Sequence, residues 1–221
     1  MWWNAVKETI LCLVGITAIG FGHPAGIYTE LHPLARSLAE ITGCQERAAI
    51  YEVFGELVFE RIETDYPGYS CWSTLKCYGA VDPLMDPKAD GLLIHELGHV
   101  FLNRLELSYC DLEMDLGYFE DGVYVHVAGV NPVTGNYERS TRGYGSAERP
   151  DIQHGELSPD FNSYKEDFAD MFMNWARDSF SDDEAGRLRY EWMDAFVRAH
   201  VAKLHGESPQ ICTGGGVTCA R

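Results

Sequence analysis

The feature that most restricts this chain is a long apolar run with three polar groups set inside it. Residues 92–102 read Leu-Leu-Ile-His-Glu-Leu-Gly-His-Val-Phe-Leu. A helix that is apolar on nearly all sides is a buried one, so a buried helix is predicted over residues 90–107. Two imidazoles and a carboxylate inside such a helix are costly unless something compensates them. His95 and His99 are four residues apart and share one helical face, so their ring nitrogens can meet at one point with no loop to order.

Two such histidines are a preorganised pair of metal ligands. Glu96, one position on, stands at the edge of the same face, where a carboxylate can act on a metal-activated water without being a ligand. The expected chemistry is hydrolysis with Zn2+ as Lewis acid and Glu96 as general base, a peptide carbonyl being the electrophile. Two core histidines satisfied by hydrogen bonds are the plain alternative. A catalytic zinc takes three protein ligands and leaves a position open. The leading third ligand is Glu166, in Tyr164-Lys-Glu-Asp-Phe-Ala-Asp170. Glu166 and Asp170 lie four apart on one stripe, while Phe168, Met171, Phe172 and Trp175 form the opposite face. Asp170 would then accept a hydrogen bond from a ligating histidine and set its tautomer. In the competing reading Ser163-x-x-Glu166 is a capping box, which leaves Asp170 unexplained. His154 ranks next as third ligand, followed by His126, Glu156 and Glu120, each of which also suits an ordinary surface residue.

His95-Glu-Leu-Gly-His99, followed by a helix reading Glu-Asp-Phe-Ala-Asp, resembles the gluzincin branch of zinc metallopeptidases, with its thermolysin-like and anthrax lethal factor-like catalytic domains. The resemblance covers two helices. It implies a zincin-like fold, His95, His99 and Glu166 as ligands, Glu96 as base, Asp170 as orienting residue, and a peptide or protein substrate. Residues 100–165 between the motif and Glu166 make a longer span than thermolysin-like enzymes have. Leu102 and Leu105 stand where the metzincin branch has a glycine and a third histidine, which excludes that branch. For the oxyanion-stabilising residue of the family, Tyr164, Tyr144 and His154 are the candidates. Two rivals use the same residues: a zinc hydrolase of a non-peptide amide, and a non-catalytic zincin-like protein that binds metal or a partner.

The formal charge of −17 excludes a surface that neutralises phosphates, so nucleic acid is not an expected partner. Residues 10–21 form an apolar run too short for a stable membrane span but suited to the core of a secretory signal. The expectation is therefore a possible signal peptide or apolar segment over residues 1–22 and one metallopeptidase-like domain over 23–221. The alternative keeps the run as a buried helix or strand of the domain. Without Cys12, six cysteines remain, and an even number permits full pairing. Cys71 with Cys77, and Cys212 with Cys219, suit local disulfides, which favours a secreted or extracytoplasmic protein over a cytoplasmic one.

Elsewhere the pattern predicts an α+β, mostly α chain. Helices are expected over residues 34–42 after Pro33, 45–63, 164–177 and 181–205, the last with Ser181-x-x-Glu184 as capping box. Residues 66–88 are expected as an irregular loop. Residues 122–130 read as a strand whose partner is 136–141. Residues 143–159 read as a Gly- and Pro-rich connection. The alternating acids Asp111, Glu113 and Asp115 lack the glycine and terminal glutamate of a calcium loop, and are read as a solvated turn. Gly214-Gly-Gly216 lacks the lysine of a phosphate loop and is read as tail.

Overall fold

The computed structural model describes residues 16–19, 24–60, 69–72, 76–79, 91–107, 111–145 and 163–207. Among them the chain is mostly helical, with two small sheets. In chain order the elements are β1 (Ile16–Ile19), α1 (Pro24–Thr42), α2 (Glu46–Phe54), β2 (Leu57–Glu60), β3 (Tyr69–Trp72), β4 (Lys76–Gly79), α3 (Leu92–Arg104), β5 (Asp115–Glu120), β6 (Val123–Gly129), α4 (Ser163–Arg177) and α5 (Glu184–Glu207).

Helix α1 is longer than the expected 34–42, with Pro33 inside it and not just before its start. Its stripe Ile27, Leu31, Leu34, Leu38 is fully buried, and that packing outweighs the backbone hydrogen bond a proline removes. It stops as expected at Gly43, which takes a positive φ of 71° and donates its N–H to the Ala39 carbonyl at 2.9 Å, a helix-ending geometry glycine tolerates. The second helix is shorter than expected. Gly55, at φ 69°, ends it, and Leu57-Val-Phe-Glu60 becomes a strand, in keeping with its β-branched and aromatic residues.

Strands β1 to β4 form one sheet in the order β1-β2-β4-β3. The first two pairs are parallel and the last antiparallel. The apolar run near the N-terminus contributes β1. Part of the stretch expected as an irregular loop is the β3–β4 pair, whose register places Cys71 opposite Cys77. Cys44 is disulfide-bonded, with a partner whose side chain lies outside the described residues, as do Cys212 and Cys219.

The second sheet is the hairpin β5–β6. Asp121 and Gly122 join its strands with φ of 50° and 81°, the double positive φ of a tight two-residue hairpin turn. The partner of β6 is thus the segment before it; residues 136–141 contribute only a bridge between Val130 and Tyr137. The solvated acidic turn read at residues 111–115 runs into β5 at Asp115.

The core lies among the helices. Helix α3 packs chiefly on α4, and α4 on α5, while α1 touches α3, α4 and α5. The N-cap of α5 is Asp183 and not Ser181: the Gly186 N–H donates to Asp183 Oδ1 at 2.8 Å, and the Ser181 hydroxyl donates to the same oxygen at 2.7 Å. Both hydrogen bonds hold the Asp183 carboxyl below its usual pKa. No helix among the described residues is long and apolar enough to cross a membrane.

Candidate metal centre

Helix α3 holds His95 and His99 one turn apart, their rings nearly perpendicular at 84° with centroids 4.9 Å apart. Helix α4 lies against this face, and it comes close because residue 98 has no side chain. A Cβ on Gly98 would stand 2.9 Å from Ala169 Cα and 3.1 Å from Phe172 Cβ, nearer than packed atoms approach. The glycine of the motif is therefore what allows α4 to present Glu166 to both histidines. From the N-terminal side, Glu30 of α1 accepts the Leu93 N–H at 2.7 Å and so caps α3 from a distant part of the chain.

The three side chains converge. Glu166 Oε2 lies 3.3 Å from His95 Nε2 and 3.5 Å from His99 Nε2, and all three donor atoms fall within 4.8 Å of one another. Among the described residues this is the one group of His, Cys, Asp and Glu side chains that converges so. Four ligands at zinc distances around a tetrahedral centre are about 3.3–3.4 Å apart, which the two Glu166 distances match. Glu166 Oε2 points at the histidines.

Asp170, one turn after Glu166, accepts from His95 Nδ1 at 2.8 Å. An ionised carboxylate only accepts, so Nδ1 carries the hydrogen and a neutral His95 turns the lone pair of Nε2 toward Glu166. Two acceptor atoms 3.3 Å apart repel unless a cation or proton lies between them. In the metal-free chain a proton fills that role. Burial opposes the charge on His95, but the carboxylates of Asp170 and Glu166 outweigh it and raise its pKa from 6.5 to about 9. Burial likewise opposes ionisation of Glu166, yet His95 and His99 hold it well below the usual carboxylate range. The same arrangement suits Zn2+, whose structural and catalytic sites take imidazole nitrogens and a carboxylate oxygen.

Exposure is graded across the site. The His95 side chain is fully buried, while those of Glu166 and His99 are 11% and 15% exposed, so the site opens on the His99 side. Glu96 is also largely buried, and its charge contributes to the rise at His95.

Of the other sequence candidates, His126 donates from Nε2 to the Glu138 carbonyl at 2.8 Å, and Glu120 is exposed at the end of β5. Neither joins the cluster. His154 and Glu156 lie outside the described residues. Tyr164 is half-buried with its ring against Tyr137. Tyr144 is buried, and its hydroxyl donates to Asp167 Oδ1 at 2.7 Å, so it serves a polar network beside the cluster.

That network escaped the sequence reading. Asp167 accepts from Arg189 Nη1 at 3.2 Å and from the Tyr137 hydroxyl at 3.2 Å, besides Tyr144. Burial pushes both tyrosines well above their ordinary pKa, so both hydroxyls remain donors. Arg189 is fully buried, with its guanidinium 4.0 Å over the Tyr144 ring. It also donates to the carbonyls of Val127, Ser140 and Arg142 at 2.7, 2.8 and 2.6 Å. A signal for it was present: Ala185, Arg189, Met193, Val197 and Val201 recur every four residues, and a lone cation in an apolar stripe needs a buried partner.

No protein-family model matches the chain, and neither curated proteins nor solved structures show a significant similarity to it.

Proposed function

We propose that the chain is a zinc-dependent hydrolase, a metallopeptidase of gluzincin type, with His95, His99 and Glu166 as ligands and Glu96 as general base. One observation carries this reading: the three donor atoms, from two helices distant in sequence, converge within 4.8 Å of one another, with Glu166 at the spacing of a tetrahedral zinc site from both histidines. Zinc held there supplies a Lewis acid that lowers the pKa of water toward neutrality and polarises a carbonyl. Glu96 takes the proton of the attacking water and passes it to the departing nitrogen; its burial one position from the His95 ligand supports this reading. Asp170 keeps the hydrogen on His95 Nδ1, so that Nε2 stays a ligand. Substrate approaches from the His99 side, where the cluster is least covered. A peptide substrate rests on the resemblance of the two helices, and a location outside the reducing cytoplasm agrees with the disulfide at Cys44.

Metal analysis of the purified chain tests the site. About one zinc per chain is expected, lost or much weakened in His99→Ala and in Glu166→Ala. A folded chain that takes up no zinc when supplied with it overturns the proposal. A panel of peptides and non-peptide amides then identifies the bond cleaved.

A further inference from the structure

Helix α4 carries three acidic residues that face two ways. Glu166 and Asp170 meet the histidines of α3, while Asp167 and Asp170 meet the segment after β6, from Tyr137 to Tyr144. Asp170 belongs to both sets. Its Oδ1 holds His95 Nδ1, and its Oδ2 accepts from Nη2 of Arg139. Arg139 is itself largely buried, with a side chain 12% exposed, and its Nε lies 4.0 Å from Asp167 Oδ1. The segment that carries Arg139 is pinned on both sides. Arg189 of α5 binds the carbonyls of Ser140 and Arg142, and the Glu138 N–H donates to the Gly129 carbonyl at 2.9 Å.

The geometry points to Arg139 as a positioning residue of the metal centre: its guanidinium holds the Asp170 carboxylate in the orientation that fixes His95 as a ligand. A carboxylate has two oxygens and rotates about its last bond. Tying Oδ2 to a buried guanidinium leaves Oδ1 one direction in which to point, toward His95. With Oδ2 taken up by the guanidinium, Oδ1 is the oxygen left to accept the His95 Nδ1–H. Arg189 and Asp167 act one step further out by fixing the backbone from which Arg139 reaches. This inference rests on the zinc reading above, and deepens it by extending the site from two helices to the segment that follows the hairpin.

The test measures zinc affinity of the full chain by competition with a chromophoric chelator, together with the visible spectrum of the Co2+-substituted protein. Arg139→Gln is expected to weaken zinc by up to about 10-fold, the low end of what losing a ligand's direct outer partner costs, because Arg139 acts one step further out through Asp170, and to shift the Co2+ bands; Arg139→Lys recovers part of both. In an Asp170→Asn background the same Arg139→Gln change is expected to cost nothing more, because Arg139 acts through Asp170. Wild-type affinity with an unchanged spectrum in Arg139→Gln overturns the inference, as does an equal further loss in the Asp170→Asn background. If Arg139→Gln does not fold, Arg139→Lys carries the same comparison: a loss that vanishes with Asp170→Asn supports the inference, and a persistent loss or none overturns it. Failure of the zinc reading looks different, since the wild type and His99→Ala would then take up zinc alike.

Discussion

Two buried polar clusters sit side by side on α4, and they are built on opposite principles. Around Asp167, donors meet acceptors: two hydroxyls and the Arg189 guanidinium all point hydrogens at one carboxylate. Around Glu166, with Nδ1 of His95 committed to Asp170, two imidazole nitrogens and a carboxylate oxygen, each an atom able to ligate a cation, converge on one point. The first is complete as protein and holds elements together. The second lacks only a positive charge, and the protein alone can supply one by keeping a proton on His95. Burial by itself therefore does not separate a structural cluster from a ligand site. The sign of the groups that converge does.

The largest expected effect that sharpens this contrast is on catalysis. Glu96→Gln should lower hydrolysis by about 10²–10⁴-fold, the range a general base contributes, with zinc content and thermal stability unchanged. Rates within a few-fold of wild type, measured with a substrate the chain hydrolyses, would remove Glu96 from its role.

The next effect is on stability, and it should separate the clusters. Asp167→Ala leaves Arg189 buried beside nothing but dipoles and a ring, and should cost about 3–5 kcal/mol, seen in denaturant unfolding with or without zinc. Glu166→Ala, on the same helix, should instead abolish the rise in Tm on adding zinc. If the two variants behaved alike in both measurements, the division drawn here would be lost.

Gly98→Ala follows. Its methyl group must displace the Ala169 backbone and the Phe172 side chain it would strike, an overpacking cost of about 1–3 kcal/mol. Because the shift separates α3 from α4, zinc affinity should fall as well. A variant with lowered stability but full zinc affinity would show that the close approach is not what presents Glu166.

The smallest effect is one of pH. In the metal-free chain His95 is raised from 6.5 to about 9. The stability this contributes is fully present below about 6.5 and is lost as pH rises through about 9. Zinc must displace that proton, so affinity should increase up to about tenfold per pH unit between those values, with one proton released per zinc. Calorimetric titration in buffers of different ionisation enthalpy reads the proton directly; a buffer-independent heat near pH 8 would contradict a protonated His95.

Local elements were legible where one pattern decided them. Helices α3 and α4 and the stop at Gly43 follow from periodicity and capping. The reading failed where two signals competed. Residues 45–63 read as one helix by pattern, yet Gly55 takes a positive φ of 69° that ends the helix and hands the chain over to β2. The partner of β6 was sought after the Asn131–Gly135 turn, while Asp121-Gly122, the stronger hairpin signal, stood on the other side. The expected helix starts, just after Pro33 and at the capping box of Ser181, were both displaced, the first by tertiary packing and the second by Asp183.

For the proposed site, the sequence by itself determined which side chains share a helical face: a spacing of four residues in a helix puts His95 and His99 together whatever else the chain does. It also marked Glu166 and Asp170 as a pair on one stripe. Only the tertiary structure decided that this stripe meets those histidines, because the approach depends on Gly98 and Ala169 touching across two helices. It alone brought Arg139, Tyr144 and Arg189 to the acids of α4. Helical geometry is local and repeats with every turn, whereas a buried charge finds its partner through the packing of segments far apart in the chain, and no spacing records that.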